Sequence, residues 1–112
     1  AIGLDHRHIY HLVGELLAAG AECAGYCPQT SDPRVLEGFR ERFPWLAPIA
    51  RERLLDDRSI DVICSAAIPR DRARLAIAAM DRGKDVMVDK PGVTTMDDLA
   101  AVEAAVERTG RI

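Results

Sequence analysis

The stretch IDVICSAAIPRDRARLAIAAMDRGKDVMV, residues 60–88, decides the fold. Its first part, Ile60 to Ser65, is short and rich in β-branched side chains, which predicts a buried strand. Asp71 to Arg82 then shows one apolar helical face, closed by Gly83, and Asp85 to Val88 predicts a second strand. The apolar positions of that helix are Ala73, Ile77 and Met80. A strand, a helix and a strand in this order predict two parallel strands joined by a right-handed crossover.

The same alternation extends towards the amino terminus. Ala1-Ile2 has the character of a strand end, and the helical face that follows it ends at Gly20. Glu22 to Tyr26 predicts a short strand, after which Asp32 as N-cap and Pro33 at the first position predict a second helix. The apolar positions are Ile9, Leu12, Val13, Leu16 and Leu17 in the first helix and Leu36, Phe39 and Phe43 in the second.

The remaining segments complete the pattern. Pro44 to Pro48 predicts a loop, followed by a short strand at Ile49 and a helical turn through Leu55. Thr94 or Thr95 opens a last helix, which Gly110 caps and which carries Leu99, Val102 and Val106. Short apolar strands that alternate with amphipathic helices predict a doubly wound parallel sheet with helices on both faces, an α/β fold.

Composition limits the possible partners. The 112 residues are enough for one domain, residues 1–112, and both ends have the character of interrupted strands, so we expect an excerpt of a longer chain. Because 15 basic and 18 acidic residues are interspersed to a net charge of −3, nucleic acid and membranes are poor candidate partners. The odd number of cysteines, Cys23, Cys27 and Cys64, predicts reduced thiols and a cytoplasmic protein.

Two segments together resemble a known family. They are SIDVICSAAIPRDRARLAIAAMDRGKDVMVDKPGVTTMDDLAAVEAA and the opening GLDHRH. In order and spacing they are similar to the nucleotide-binding half of the glucose-fructose oxidoreductase, inositol dehydrogenase and MocA (Gfo/Idh/MocA) family. Asp61-Val62-Ile63 matches the family's strand, Gly83-Lys84-Asp85-Val86 its turn, and Asp89-Lys90-Pro91 stands where the family has Glu-Lys-Pro.

The resemblance implies a Rossmann-like three-layer sandwich that binds NADP or NAD. It further implies hydride transfer between that cofactor and a hydroxyl of a sugar, polyol or related small molecule. Lys90 would be the catalytic residue, reaching the substrate hydroxyl and the nicotinamide edge, with Asp89 holding it in place. A second domain would supply most substrate contacts, a catalytic His or Asp, and the surface for a homo-oligomer. The resemblance also implies backbone contacts to the cofactor from Ala67, Pro69 and Pro91.

The glycine loop departs from the G-x-G-x-x-G pattern. Gly3 keeps the first position, whereas Asp5 and His8 replace the second and third glycines, so a carboxylate lies where phosphate charges would rest. His6, Arg7 and His8 nevertheless border a helix N-terminus that can receive an anion. Two interpretations of Arg7 stay open: contact with a phosphate, or an exposed residue paired with Asp5.

The second and third departures concern the ribose and the nicotinamide. Cys27 stands where an acid normally bonds the ribose hydroxyls, and Gln29 and Arg34 follow, which favours NADP over NAD. Alternatively, Thr30, Ser31 and Asp32 of the same segment only cap the second helix. Arg72 stands where the family has His; with Arg70 it favours an anionic ligand or lies exposed on a first helical turn.

Three rival functions are weighed against this one. His6-x-His8, with His11 nearby, is also typical of a metal pair in amidohydrolases, but His8 and His11 fall in a predicted helix and no later ligand set is visible, so we expect no metal. A flavodoxin-like module is disfavoured because no acidic cluster or hydroxyl-rich loop follows the first strand. The strongest rival is a non-catalytic relative, regulatory or scaffolding, that has lost cofactor binding.

Overall fold

A computed structural model describes all 112 residues and contains two regular strands. Strand β1 spans Val62–Ser65 and strand β2 spans Asp85–Val88. They are parallel, in the register Val62 to Asp85 through Ser65 to Val88. The parallel pair predicted from residues 60–88 is therefore confirmed, with β2 exactly as predicted and β1 beginning two residues later than Ile60.

Five helices surround these strands. α1 begins one residue before Ile9, and α2 begins at Pro33 behind its N-cap Asp32, as predicted. Thr95 is the N-cap of α5, where its hydroxyl accepts a hydrogen bond from the Asp98 backbone N–H. The helices are α1 His8–Ala18, α2 Pro33–Arg42, α3 Arg51–Asp56, α4 Pro69–Met80 and α5 Met96–Thr109.

Two helix predictions need correction. α4 begins at Pro69 rather than at Asp71, because proline at the first helical position has a suitable φ angle and no N–H to satisfy. Pro69 is therefore helical and not part of a loop. In α5 the buried side chain is Ala105, whereas Val106 is exposed, because only a small residue fits where α5 packs on Ala76 and Met80 of α4.

The strand predicted at Glu22 to Tyr26 is not formed. Only Tyr26 is bridged, in a parallel sense, to Pro48. Gly25 has a positive φ of 152°, and the neighbouring segment contains Pro48, which has no N–H to donate. These features interrupt a regular ladder, and single hydrogen bonds replace it. The strand at Ile49 is likewise reduced to the N–H of Ile49 donating to the Tyr26 carbonyl.

Extended segments nevertheless continue the sheet beyond β1. The N–H of Ile2 donates to the Cys64 carbonyl, and the N–H of Cys27 donates to the Ala1 carbonyl, at 2.9 and 2.8 Å. The N–H of Tyr26 donates in turn to the Ala47 carbonyl. Across the sheet the order is thus residues 47–49, 25–27, 1–3, β1 and β2.

Both faces of this sheet are covered. Adjacent residues of β1 enter different cores: Cys64 packs in a cluster with Phe39 and the α1 residue Ile9, and Ile63 packs in a cluster with Leu75 of α4. Because side chains alternate along a strand, this division places helices on opposite faces. The three-layer Rossmann-like arrangement is thereby confirmed. None of the helices combines the length and apolar character needed to cross a membrane.

Candidate functional site

The loop after the first extended segment turns sharply at Gly3. Its φ of 74° is unfavourable for other residues, and a Cβ added there would lie 2.6 Å from the Cβ of Ala67 and 2.8 Å from Oγ of Ser65. Gly3 and Ala67 therefore meet at the carboxyl ends of neighbouring segments of the sheet. In open parallel sheets this edge is where ligands bind.

Asp5 is held by the segment before α2. Its Oδ1 accepts hydrogen bonds from the backbone N–H and hydroxyl of Ser31, at 2.5 and 2.7 Å, while the Thr30 hydroxyl, 3.2 Å from Oδ1, donates to the Leu4 carbonyl at 2.6 Å. Arg7 is exposed and is the N-cap residue of α1, as the second interpretation expected, but it forms no ion pair with Asp5. The negative charge of Asp5 is thus partly stabilised by neutral donors, and Arg7 is left available to an anion.

A cleft of about 410 Å³ opens beside this loop. Five of its lining residues are among those predicted to bind the cofactor: Gly3, Asp5, Cys27, Gln29 and Ala67. The cleft is open to solvent on one side and combines this loop edge with the first turns of α3 and α4.

Charged residues of the cleft were missed by the sequence reasoning. Arg51 at the start of α3 lines the cleft without an ion pair, and Arg74 lines it while bonding Asp71 at 2.6 Å. The signal for Arg51 was its place just after Ile49, because residues that follow strand ends in such folds line the crevice.

Arg34 does not line this cleft. Its guanidinium donates to both carboxylate oxygens of Asp32, each at 3.1 Å, and its side chain is otherwise exposed. The hydrogen bond and charge of Arg34 lower the pKa of Asp32 below its ordinary value. Asp32 also accepts from the Arg34 backbone N–H, so this part of the segment does cap α2.

A second cluster of functional groups surrounds Asp89, directly after β2. Nδ1 of His8 lies 3.0 Å from its Oδ1, and Nδ1 of His6 lies 3.8 Å from its Oδ2. Arg72 donates to Oδ2 at 3.2 Å, and also to the backbone carbonyls of Ala67, Asp89 and Pro91. Both expectations for Arg72 are therefore wrong: it is buried, and its donors are used within the protein.

The environment of Asp89 favours the carboxylate. Burial by itself would raise its pKa, but hydrogen bonds from His8 and from the Lys90 backbone N–H, with the charges of His8 and Arg72, outweigh burial and lower the pKa below its ordinary value. Asp89 is thus an anion that three neighbours hold in one orientation.

Lys90 extends from this cluster into solvent. Its backbone N–H donates to Oδ1 of Asp89 at 2.9 Å, while its exposed side chain makes no hydrogen bond or ion pair. The Asp89 carboxylate therefore fixes the Lys90 backbone, and not its ammonium group as predicted, because Arg72 and His8 occupy the carboxylate oxygens. Pro91 contributes a carbonyl to Arg72, and Pro69 opens α4. Of the predicted residues, Asp89, Lys90 and Pro91 thus lie together with His6 and His8.

Comparison with known proteins agrees with this fold. The family model described as an oxidoreductase family with an NAD-binding Rossmann fold matches residues 24–112. No curated protein matches the chain. Several solved structures are similar over nearly all of it, and the chain spans about a third of the length of the three described next.

A protein from Erwinia carotovora atroseptica, classed among the oxidoreductases, is 44% identical with a TM-score of 0.91, over 98% of this chain and 33% of that one. A second, from Yersinia pestis, is 24% identical with a TM-score of 0.79, over 99% of this chain and 31% of that one. The myo-inositol 2-dehydrogenase of Lactobacillus plantarum is 23% identical with a TM-score of 0.71, over 99% and 33%, which shows the fold alone. With the family model covering most of its length, the chain belongs to the Gfo/Idh/MocA oxidoreductase family, of which it forms an NAD-binding Rossmann domain.

Proposed function

We propose that this domain binds NADP or NAD for an enzyme that transfers a hydride between the cofactor and a hydroxyl of a sugar, polyol or related small molecule. The observation that supports this most is the cleft beside Gly3 and Ala67, at the carboxyl edge of the sheet of an oxidoreductase-family domain.

The cofactor would lie across the cleft. Its adenosine ribose would face Cys27 and Gln29, and its pyrophosphate would approach Gly3. Arg7, next to the N-terminus of α1, has a free guanidinium that can offset the charge of Asp5 near the phosphates. His6 and His8, which are also predicted to contact the cofactor, lie on either side of Arg7.

NADP is the cofactor we favour. Cys27 presents no carboxylate that would repel a 2′-phosphate, and the unpaired Arg51 lines the same cleft. Arg34, also expected to contact the phosphate, would first have to leave Asp32, to which it makes two hydrogen bonds. A phosphate bound by arginine is stabilised by charge-assisted hydrogen bonds.

Lys90 is proposed as the catalytic residue of this domain. Its unpartnered ammonium can polarise a substrate oxygen or share a proton with it while hydride moves to or from the nicotinamide. Asp89 would serve by fixing the backbone of Lys90. The loops that contain Ala67, Pro69 and Pro91 would contact the nicotinamide ribose. Arg72 supports these loops by donating hydrogen bonds to the backbone carbonyls of Ala67, Asp89 and Pro91.

Further parts of the proposal concern the whole protein. A second domain would supply most substrate contacts and a homo-oligomer interface, because the solved relatives are about three times as long as this chain. A cytoplasmic location fits the free thiols of Cys23, Cys27 and Cys64.

The proposal is tested by titrating the protein with NADP and with NAD while following its thermal midpoint. At 100 times its dissociation constant, a ligand stabilises the folded state by about 2.7 kcal/mol, so binding gives a clear shift. We expect a larger shift with NADP. Arg51→Ala should weaken NADP selectively, and Arg34→Ala is the matched control that removes an arginine outside the cleft.

Each outcome of the nucleotide titrations tests a different part of the proposed function. A selective loss in Arg34→Ala instead would assign the phosphate contact to Arg34. A shift with NAD alone would retain the enzyme and overturn the NADP preference. No response to either nucleotide would overturn cofactor binding.

In that last case the second candidate, a non-catalytic relative, becomes the function. The observation that favours it is Asp5, whose carboxylate lines the cleft at the place of the second glycine. Like charges in a partly desolvated cleft repel, so an anionic cofactor binds there at a cost. A regulatory or scaffolding role does not require that charge to be overcome.

A further inference from the structure

Three potential metal ligands converge at the edge of the domain. One ligand atom each from His6, His8 and Asp89 lies within 4.8 Å of the other two. The two histidines come from the loop after Gly3 and the start of α1, and the carboxylate follows β2, so residues 81 positions apart in sequence meet here. Sequence reasoning had set the histidine pair aside because it found no further ligand, and the fold supplies one.

We propose that His6, His8 and Asp89 bind a divalent first-row transition ion, with Zn²⁺ as the reference ion. Two imidazole nitrogens and one carboxylate oxygen form a ligand set that such ions accept, with positions left open for water or another ligand. This site shares His6 and His8 with the proposed nucleotide site, but its ligands need no cofactor to be in place, so metal binding is measured without nucleotide.

The ligand atoms lie close to the spacing that an ion of this size requires. Ligands about 2.0–2.1 Å from a tetrahedral zinc lie about 3.3 Å from one another. Oδ1 of Asp89 lies 3.0 Å from Nδ1 of His8, and its Oδ2 lies 3.8 Å from Nδ1 of His6. Because one ligand atom from each of the three residues lies within 4.8 Å of the other two, small side-chain movements bring three ligands around one ion. Both histidines are partly exposed, so an ion can enter from solvent.

The carboxylate is already oriented for this role. The Arg72 guanidinium donates a hydrogen bond to Oδ2 at 3.2 Å, and the Lys90 backbone N–H donates one to Oδ1 at 2.9 Å. Groups that fix a ligand in this way are a regular part of metal sites. The positive charge of Arg72 opposes a second cation, and the hydrogen bond between His8 and Asp89 must give way to the ion. We therefore expect a reversible site, weaker than a structural zinc site with more ligands.

His6 can supply its Nδ1 at little cost. That atom accepts only a long contact, 3.3 Å, from the His8 backbone N–H. The rings of His6 and His8 meet edge to face with centroids 4.1 Å apart, so both nitrogens can face one point without a change of fold.

The test is calorimetric titration of the full-length, chelator-treated protein with Zn²⁺ in the absence of nucleotide, repeated with Co²⁺ to record its visible absorption. We expect one ion per chain and a cobalt spectrum of low coordination number. His6→Ala and His8→Ala should each weaken zinc binding by more than about 100-fold, since loss of a supporting residue alone costs 10–100-fold.

The matched control is His11→Ala. His11 is exposed on α1 and lies outside the cluster, so its removal should leave zinc binding unchanged. Asp89→Asn is informative only if it folds, because Arg72 would lose its partner; the exposed His6 keeps the test independent of folding. Absence of stoichiometric binding, or binding that persists in both His6→Ala and His8→Ala, would overturn the proposal. Nucleotide binding can succeed or fail in either case.

Discussion

Gly3 shows how closely single residues are constrained at the ligand edge. A side chain at this position would collide with Ala67 and Ser65, and the φ of 74° would also be strained. Gly14, in the middle of α1, is the opposite case: a Cβ added there meets nothing within 4 Å. Gly3 is therefore required by sterics and by its φ angle, whereas no contact in the structure requires glycine at position 14.

Gly3→Ala is expected to destabilise the fold by about 1–3 kcal/mol, the range for overpacking a tight site. Gly14→Ala should instead stabilise α1, by about 1 kcal/mol, because alanine is the better helix former and has room. Denaturant unfolding of both variants measures the difference. Equal effects of the two substitutions would contradict the assigned role of Gly3.

Arg72 is a buried cation whose removal would leave Asp89 without its guanidinium partner and three backbone carbonyls without a donor. Arg72→Ala is therefore expected to destabilise by about 3–5 kcal/mol, whereas Arg70→Ala, on the exposed side of the same turn, should change stability by no more than about 0.5 kcal/mol. Thermal or denaturant unfolding distinguishes them. A small effect at Arg72 would mean that its contacts are not important for stability.

At the scale of elements, Lys84 joins the turn before β2 to the turn after α3. Its buried ammonium donates to the carbonyls of Asp57 and Ile60, the second at 2.9 Å. The Gly83-Lys84 pair, noticed in the sequence as part of a family pattern, thus has a structural role here. Gly83 ends the crossover after α4, and Lys84 satisfies carbonyls beside β1.

Lys84→Met should cost about 1–3 kcal/mol of stability, because it keeps much of the side-chain volume but leaves the Ile60 carbonyl without a donor and the Asp57 carbonyl with only the Ile60 backbone N–H. Arg58→Met, in the same region, is a control on an exposed side chain with no hydrogen bond or ion pair. Urea unfolding of the two variants gives the comparison. Similar stability for both would show that water replaces the ammonium group.

At the scale of the whole molecule, the parallel arrangement collects loops from distant parts of the sequence at one edge. The loops after Gly3, after β1 and after β2 all leave the sheet at its carboxyl end. The cleft and the His6–His8–Asp89 cluster therefore both lie at the carboxyl edge of the sheet, although their residues are spread over nearly the whole chain. Arg72, at the start of α4, links the loop after β1 to the loop after β2.

The acid stability of the molecule should depend on this link. The pKa of Asp89 is lower in the folded state than the unfolded value of about 3.9. The contribution of Asp89 to the free energy of unfolding is therefore fully present above the unfolded pKa and is lost as pH falls through the folded pKa. Denaturant unfolding from neutral pH to below pH ~3 should show this loss, and Asp89→Asn should flatten it while lowering stability at neutral pH. An unchanged pH slope in Asp89→Asn would contradict the argument.

From the sequence alone follow the alternation of strands and helices, the N-cap Asp32, a threonine N-cap at Thr94 or Thr95, and the family resemblance. Local hydrogen bonding and apolar spacing determine these features, and both are visible in neighbouring residues. The sequence did not reveal that Arg72 is buried, that Arg51 lines the cleft, or that Asp89 meets His6 and His8. Only the tertiary structure decided these, because each depends on which loops the parallel sheet brings to one edge, and that proximity has no signature in local spacing.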